Sequence, residues 1–255
     1  MVNNATDGAM FEGFIPSLKL GCLQPGAVID NAPFEFYRLA PPGVMLVMVG
    51  VGLKEFSSQD VERAFAPLDR YLDQLMERGV HLVIQNGVPL PILIGIEAHD
   101  RMIAHMADYT GLPATSTVLS VVRAAADLGI RKIALANKWT EAMNRSLAAF
   151  FAREGVTVAG AATKSLHPHD FHQIPAGEHV QLAYELGRRA FLDHADCDAV
   201  YIGGGSWIAE PVAVRLEAEF GKPVLCNQAA VIRHTLKLLG AWTSIEGHSR
   251  LLATA

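Results

Sequence analysis

The chain has 255 residues, 51% of them hydrophobic and 18% charged, with a formal net charge of −5. That length can bury one large core or two smaller ones, and a mildly acidic chain without a basic block excludes the footprint of a nucleic-acid binder. No run of roughly 18 apolar residues is present to cross a bilayer, and the start, MVNNATDGAMFEGF, lacks the basic end and apolar stretch of a signal peptide, so a cytoplasmic, membrane-free protein is expected.

In chain order, apolar strand-like runs stand at residues 19–23, 44–49, 81–85, 132–136, 157–161, 199–202 and 223–226. Helical patterns stand at 59–78, 94–109, 115–128, 140–153, 178–194, 211–219 and 229–239. This alternation predicts α/β architecture, with parallel sheets covered by helices and ligands at the carboxyl ends of the strands. TSTVLSVVRAAADLGIRKIALANKW repeats the logic of SSQDVERAFAPLDRYLDQLMERGVHLVIQNG: a Ser or Thr N-cap, an amphipathic helix closed by glycine, then a buried strand ending in polar residues. Two α/β lobes are expected, 1–114 plus 227–255 forming one and 115–226 the other.

Two of the apolar runs break into glycine, HLVIQNGVPLP and DAVYIGGGSWIAEP. Each reads as a buried strand ending in a turn with bare backbone N–H groups, a cradle for a carboxylate or enolate oxygen. Asn86, Gly87 and Val88 belong to the first turn, and Gly204, Gly205 and Ser206 to the second. IGGGSW is not GxGxxG, no GxxxxGK[ST] occurs, and Ser206 is not in a GxSxG elbow, so no nucleotide cofactor and no α/β-hydrolase is expected. The three cysteines, Cys22, Cys197 and Cys226, form no CxxC pair, and neither a disulfide framework nor a zinc knuckle is predicted.

The order of RGVHLVIQNGVPLP, TGLPATSTVLSVVRAAADLGIRKIALANKW, MNRSLAAFF, DAVYIGGGSW and FGKPVLCNQAAVIRHTLKLLG resembles the aspartate/glutamate racemase superfamily, particularly arylmalonate decarboxylases and maleate cis-trans isomerases. The resemblance implies two similar Rossmann-like lobes with the active site in the cleft between them. It also implies a cysteine from each lobe in racemases, cysteine chemistry in the isomerase, and protonation of an enediolate by the second cysteine in the decarboxylase. Carried over by position, these cysteines fall at Gly87 and Gly204. Donors that follow the decarboxylase's first turn correspond to Val88 and Pro89, the latter without an N–H, and its phenol donor corresponds to Trp139. Two-cysteine racemisation is therefore not expected.

Replacement chemistry is sought in KSLHPHDFHQIP, which carries His167, His169, Asp170 and His172. Imidazole is suited to proton transfer near neutral pH, and His167, then His169, are the candidate catalytic groups. The same residues suit a metal site or a plain exposed loop; no metal is assigned. Asn137, just past a predicted strand, is a candidate carboxylate contact or a turn residue, and Asn86 a contact or half of an Asn-Gly turn. Glu210 reads first as a helix-dipole residue and Asn227, with Gln228, as an N-cap. Asp30, Asn31, Glu35 and Tyr37 read as a surface loop or the substrate mouth.

The sequence thus predicts a cofactor-independent enzyme acting on a small carboxylate through an enolate or carbanion, a decarboxylase-like lyase first. An isomerase of an unsaturated diacid, a hydrolase of a cyclic amide or lactone, and a non-catalytic small-acid binder stay open. The apolar segment GVMLVMVGVGL leaves a homo-oligomer open as well.

Overall fold

Successive parallel strands need long crossovers, and this chain supplies a helix for every one. The computed structural model describes residues 15–27, 31–166, 170 and 174–255. The first part runs β1 (Leu18–Gln24), α1 (Asn31–Leu39), β2 (Val44–Gly50), α2 (Ser58–Phe65), α3 (Leu68–Met76), β3 (Leu82–Gln85), α4 (Pro89–Ile94), α5 (Ile96–Thr110) and β4 (Ala114–Ser116). The second runs α6 (Thr117–Asp127), β5 (Lys132–Asn137), α7 (Glu141–Arg153), β6 (Thr157–Thr163), α8 (Ala176–Asp193), β7 (Ala199–Gly203), α9 (Glu210–Phe220) and β8 (Val224–Cys226), followed by α10 (Asn227–Leu238) and α11 (Arg250–Ala253).

The strands form two parallel four-stranded sheets ordered β2-β1-β3-β4 and β6-β5-β7-β8, so the second repeats the topology of the first. The inner strands β1, β3, β5 and β7 are buried along most of their length, as parallel strands under helices must be, whereas the edge strands β2 and β6 are only partly buried. Leu82 and Ile84 enter a large core that also holds Ile133, Leu135 and Tyr201 of the second sheet, whereas Val83, pointing the other way, joins Leu72, Leu75 and Met106. The first-named core is therefore shared between the sheets. Helices α6 and α10 pack against each other, and α1 packs on α10. Among the described residues no helix is long and apolar enough to cross a membrane.

All seven predicted strands form, and three of the helices start as the sequence dictates: Ser57, Ser116 and Thr140 accept the N–H of Asp60, Leu119 and Met143 at 3.2, 3.2 and 3.3 Å. The differences have local causes. The single helix expected over 59–78 is two, because Pro67 offers no N–H to continue the ladder. The helix expected from 94 is preceded by the short α4, and Gly95 at φ +82° separates the two. Strand β4 has three residues, too few for alternation to be visible, and it occupies what reads as the start of α6. Residues 31–39, expected as a loop, are helical; Pro33 falls in the first turn, where no N–H is required.

Candidate active site

In an open α/β sheet the crevice for a ligand lies where the strand order reverses, outside the carboxyl ends. Here the reversals fall between β1 and β3 in one sheet and between β5 and β7 in the other. Leu23 pairs with Gln85, which sets Pro25 beside the Asn86-Gly87 turn, and Asn137 pairs with Gly203, which sets Lys138 beside Gly204. Both glycine breaks thus sit at reversal points.

The first turn is locked from within. Asn86 Nδ2 donates to Gln24 Oε1 at 2.5 Å, Thr117 Oγ1 donates to Asn86 Oδ1 at 2.7 Å, and Gly87 N–H donates to Thr117 Oγ1 at 3.0 Å. Gly87 has φ +85°, and a Cβ there would lie 2.9 Å from Pro25 Cγ. Val88 is fully buried in the shared core, so any ligand would meet its backbone rather than its side chain.

The second turn is more open and lined by donors. Gly205 and Ser206 are partly exposed, while the flanking Gly204 and Trp207 are buried. Gly204 adopts φ +148°, and a Cβ on it would stand 3.1 Å from Trp207 Cδ1 and 3.2 Å from Nε1. Both positions to which the resemblance assigns a cysteine therefore hold backbone that an L side chain strains. Trp207 Nε1 and Asn227 Nδ2 are buried donors with no hydrogen-bond partner among the described residues. The missing side chains leave space beside each, for Asn227 Nδ2 lies 3.9 Å from where a Cβ of Gly205 would be. Asn227 Oδ1 is taken by the Tyr201 hydroxyl at 2.6 Å, which fixes the amide with its NH₂ outward from that bond.

Lys138 adds a cation. Its side chain is fully buried, Nζ donates to Ser206 Oγ at 2.8 Å, and the ammonium stands 5.1 Å from the Trp207 ring centroid. Behind the turn, the Ser206 carbonyl accepts from Asn31 Nδ2 and from His179 Nδ1, both at 2.9 Å. Glu35 Oε1 accepts from the N–H groups of Ala209 and Glu210, at 2.6 and 2.8 Å, and so caps α9 from α1. Burial pushes the Glu35 carboxyl up to about 7 against the pull of those two N–H groups, and the nearby Glu210 adds to the rise. Pro25 beside Gly87 and Asn31 beside Ser206 are six Cα–Cα steps apart, a span of at most about 20 Å, so the stretch that leaves the first turn ends at the second.

Several sequence expectations meet a different arrangement. Asn137 takes the turn alternative: it is fully buried, its Oδ1 accepting from Trp139 N–H two residues on at 2.9 Å and its Nδ2 donating to Asn144 Oδ1 at 2.7 Å. Trp139 lies inside the core with its ring against Gly203, where a Cβ would come within 2.7 Å of Cη2 and 2.9 Å of Cζ3. Asn227 is the first residue of α10 rather than its cap; Cys226 holds the cap position without a side-chain bond. Glu210 opens α9 but holds Ser249 N–H at 2.7 Å and meets Cys226 Sγ at 3.2 Å. His167, His169 and His172, like Asp30, lie outside the described residues. Among the described residues no group of three or more His, Cys, Asp or Glu could hold a metal. Lys138 and Trp207 carry no role in the sequence reading; a lysine just beyond the apolar run Ile133–Ala136 is the signal that marks the first.

All three thiols are free and buried, Cys22 pushed up to about 12 by burial and Cys226 raised by burial and then by Glu210. The arylmalonate decarboxylase family model matches residues 20–252. Arylmalonate decarboxylase of Bordetella bronchiseptica is 24% identical over 235 residues, 91% of this chain and 95% of that protein. Unliganded arylmalonate decarboxylase superposes with a TM-score of 0.78 at 22% identity, covering 94% of this chain and 100% of the other. The maleate cis-trans isomerase of Nocardia farcinica carrying a succinylcysteine intermediate superposes with a TM-score of 0.80 at 18% identity, covering 93% and 99%. With the family model spanning nearly its whole length, the chain belongs to the arylmalonate decarboxylase family.

Proposed function

We propose that this protein is a cofactor-independent lyase that removes CO₂ from a small malonate-type dicarboxylate. The observation that carries the reading is the lining of the Gly204–Ser206 turn: two buried N–H donors, Trp207 Nε1 and Asn227 Nδ2, with no partner among the described residues, and a hydroxyl backed by the buried Lys138 Nζ. Buried orphan donors are uncommon and call for an acceptor. Donors of one sign around one turn suit a species that gains negative charge on oxygen as it reacts. When a malonate loses CO₂, the electron pair of the broken C–C bond flows into the remaining carboxylate and gives an enediolate. A donor set fixed before reaction stabilises that charge without reorganising, and a single such donor is commonly worth about 10²- to 10³-fold in kcat. An aryl or vinyl substituent on the substrate spreads the same charge, in keeping with the name of the curated relative.

Nuclear magnetic resonance of the pure protein with aryl- and alkylmalonates, maleate, hydantoins and lactones tests this reading. An arylmalonate converted to CO₂ and a monocarboxylate supports it. Conversion of maleate to fumarate, or ring opening of a lactone or hydantoin, with the malonates untouched, overturns it. Trp207→Phe and Asn227→Ala are each expected to lower kcat by about 10²-fold with a smaller change in KM, since they remove donors used most in the transition state.

A further inference from the structure

We propose that Ser206, backed by Lys138, returns the proton to the α-carbon after CO₂ has left; this rests on the decarboxylase reading above. The direction of one hydrogen bond supports it. A protonated lysine only donates, so the 2.8 Å bond from Nζ occupies a lone pair of Ser206 Oγ and leaves the hydroxyl's own hydrogen for another acceptor. Lys138 is fully buried, whereas Ser206 is partly exposed on the turn, so the hydroxyl is the face that the pair presents to the crevice. The serine is also held: Asn31 and His179 grip its carbonyl, and the chain turns directly behind it through the Trp207 N–H to Gly204 carbonyl bond at 3.3 Å. A donor on a fixed backbone delivers to one face of a planar enediolate.

The step balances without a further reactant. A malonate dianion gives neutral CO₂ and an enediolate dianion, the C–C pair becoming the new C=C bond. That pair then takes the Oγ hydrogen as a C–H bond, while a proton from Nζ moves onto Oγ, so no alkoxide accumulates. The product is a monocarboxylate, and the neutral amine regains its proton from solvent through the partly exposed Ser206 hydroxyl to which it is bonded. Were Lys138 neutral in the resting enzyme, it would accept from Ser206 and make the oxygen a nucleophile, which is a different chemistry with a covalent acyl-serine.

The test uses an α-aryl-α-alkylmalonate, whose product is chiral, in D₂O. The wild-type protein is expected to release one deuterated enantiomer in excess. Ser206→Ala keeps the fold, because the serine is partly exposed, and is expected to lower kcat by about 10²-fold and to give nearly racemic product, as water then protonates both faces. Lys138→Ala should behave alike and recover rate and handedness with added ethylammonium but not with ethanol, a rescue that a packing role would not show. An unchanged enantiomeric excess and rate in Ser206→Ala overturns the proposal while the decarboxylase reading stands. So does loss of handedness in His167→Ala or His169→Ala with Ser206→Ala unaffected. An acyl-Ser206 adduct seen by mass spectrometry also overturns it, and a wild-type protein that releases no CO₂ from any malonate overturns both.

Discussion

Gly204 and Gly205 are neighbours on one turn, and alanine at each should behave oppositely. At Gly204, φ +148° lies where L residues are strained by about 1–3 kcal/mol. Its Cβ would press on Trp207 at 3.1 Å, and that indole is fully buried and cannot retreat freely, which adds an overpacking cost of about 1–3 kcal/mol. A total near 3 kcal/mol corresponds in a chain of this size to a fall in melting temperature of roughly 6–12 °C. Gly205 has no positive φ, and its nearest neighbour is Asn227 Nδ2 at an ordinary 3.9 Å, so Gly205→Ala should stay within about 0.5 kcal/mol of wild type. It should nonetheless weaken the donor site, because the methyl group fills the space beside that amide. Differential scanning calorimetry of the two variants reads the contrast, and a Gly204→Ala melt within 2 °C of wild type would refute the reasoning. Gly204→Cys should lose as much, so a thiol cannot be placed there without moving the turn.

Glu35 gives the protein a pH-dependent stability. Its carboxyl is raised from 4.5 to about 7 in the folded state, so the native protein binds more protons than the unfolded one between those values, and stability falls as pH rises through that window by about 3 kcal/mol. Glu35→Gln should flatten that part of the profile of melting temperature against pH, and an unaltered slope would contradict the assignment. Replacing Cys22, Cys197 and Cys226 together by alanine should leave turnover within about tenfold, because a lost catalytic group usually costs about 10²-fold or more; abolished turnover in the folded variant would put a thiol in the mechanism. Thr117→Val removes the hydroxyl that accepts from Gly87 and donates to Asn86, and chemical denaturation should show a loss of about 1–3 kcal/mol from the polar groups left unpaired.

The strands were legible because a parallel strand buried on both faces must be a short apolar run, and 81–85, 132–136 and 199–202 are such runs. Helix α1 was not, since Pro33 reads as a breaker until the helix start is known, and β4 was not, since three residues carry no period. The site was half legible. Glycine after a buried strand announces a turn with bare N–H groups, so Gly87, Gly204 and Gly205 could be named. Asn137 could not be told from a turn residue, because whether its amide faces a ligand or Asn144 depends on a helix that begins four residues later.

What the sequence by itself determined is the local and periodic part: the alternation of strand and helix, the serine and threonine caps, the two glycine breaks, and the absence of cysteine from both. These follow from backbone geometry and burial within a few residues of chain. Only the tertiary structure decided the chemistry of the crevice. The pairing of β5 with β7 sets Lys138 beside the turn that carries Ser206, 68 residues away, the pairing of β7 with β8 sets Asn227 by Gly205, and α1 reaches from the other sheet to hold Ser206 with Asn31. The strength and direction of a hydrogen bond depend on positions within a fraction of an ångström, and contacts between residues so far apart in the chain acquire positions only when the sheets close on their shared core.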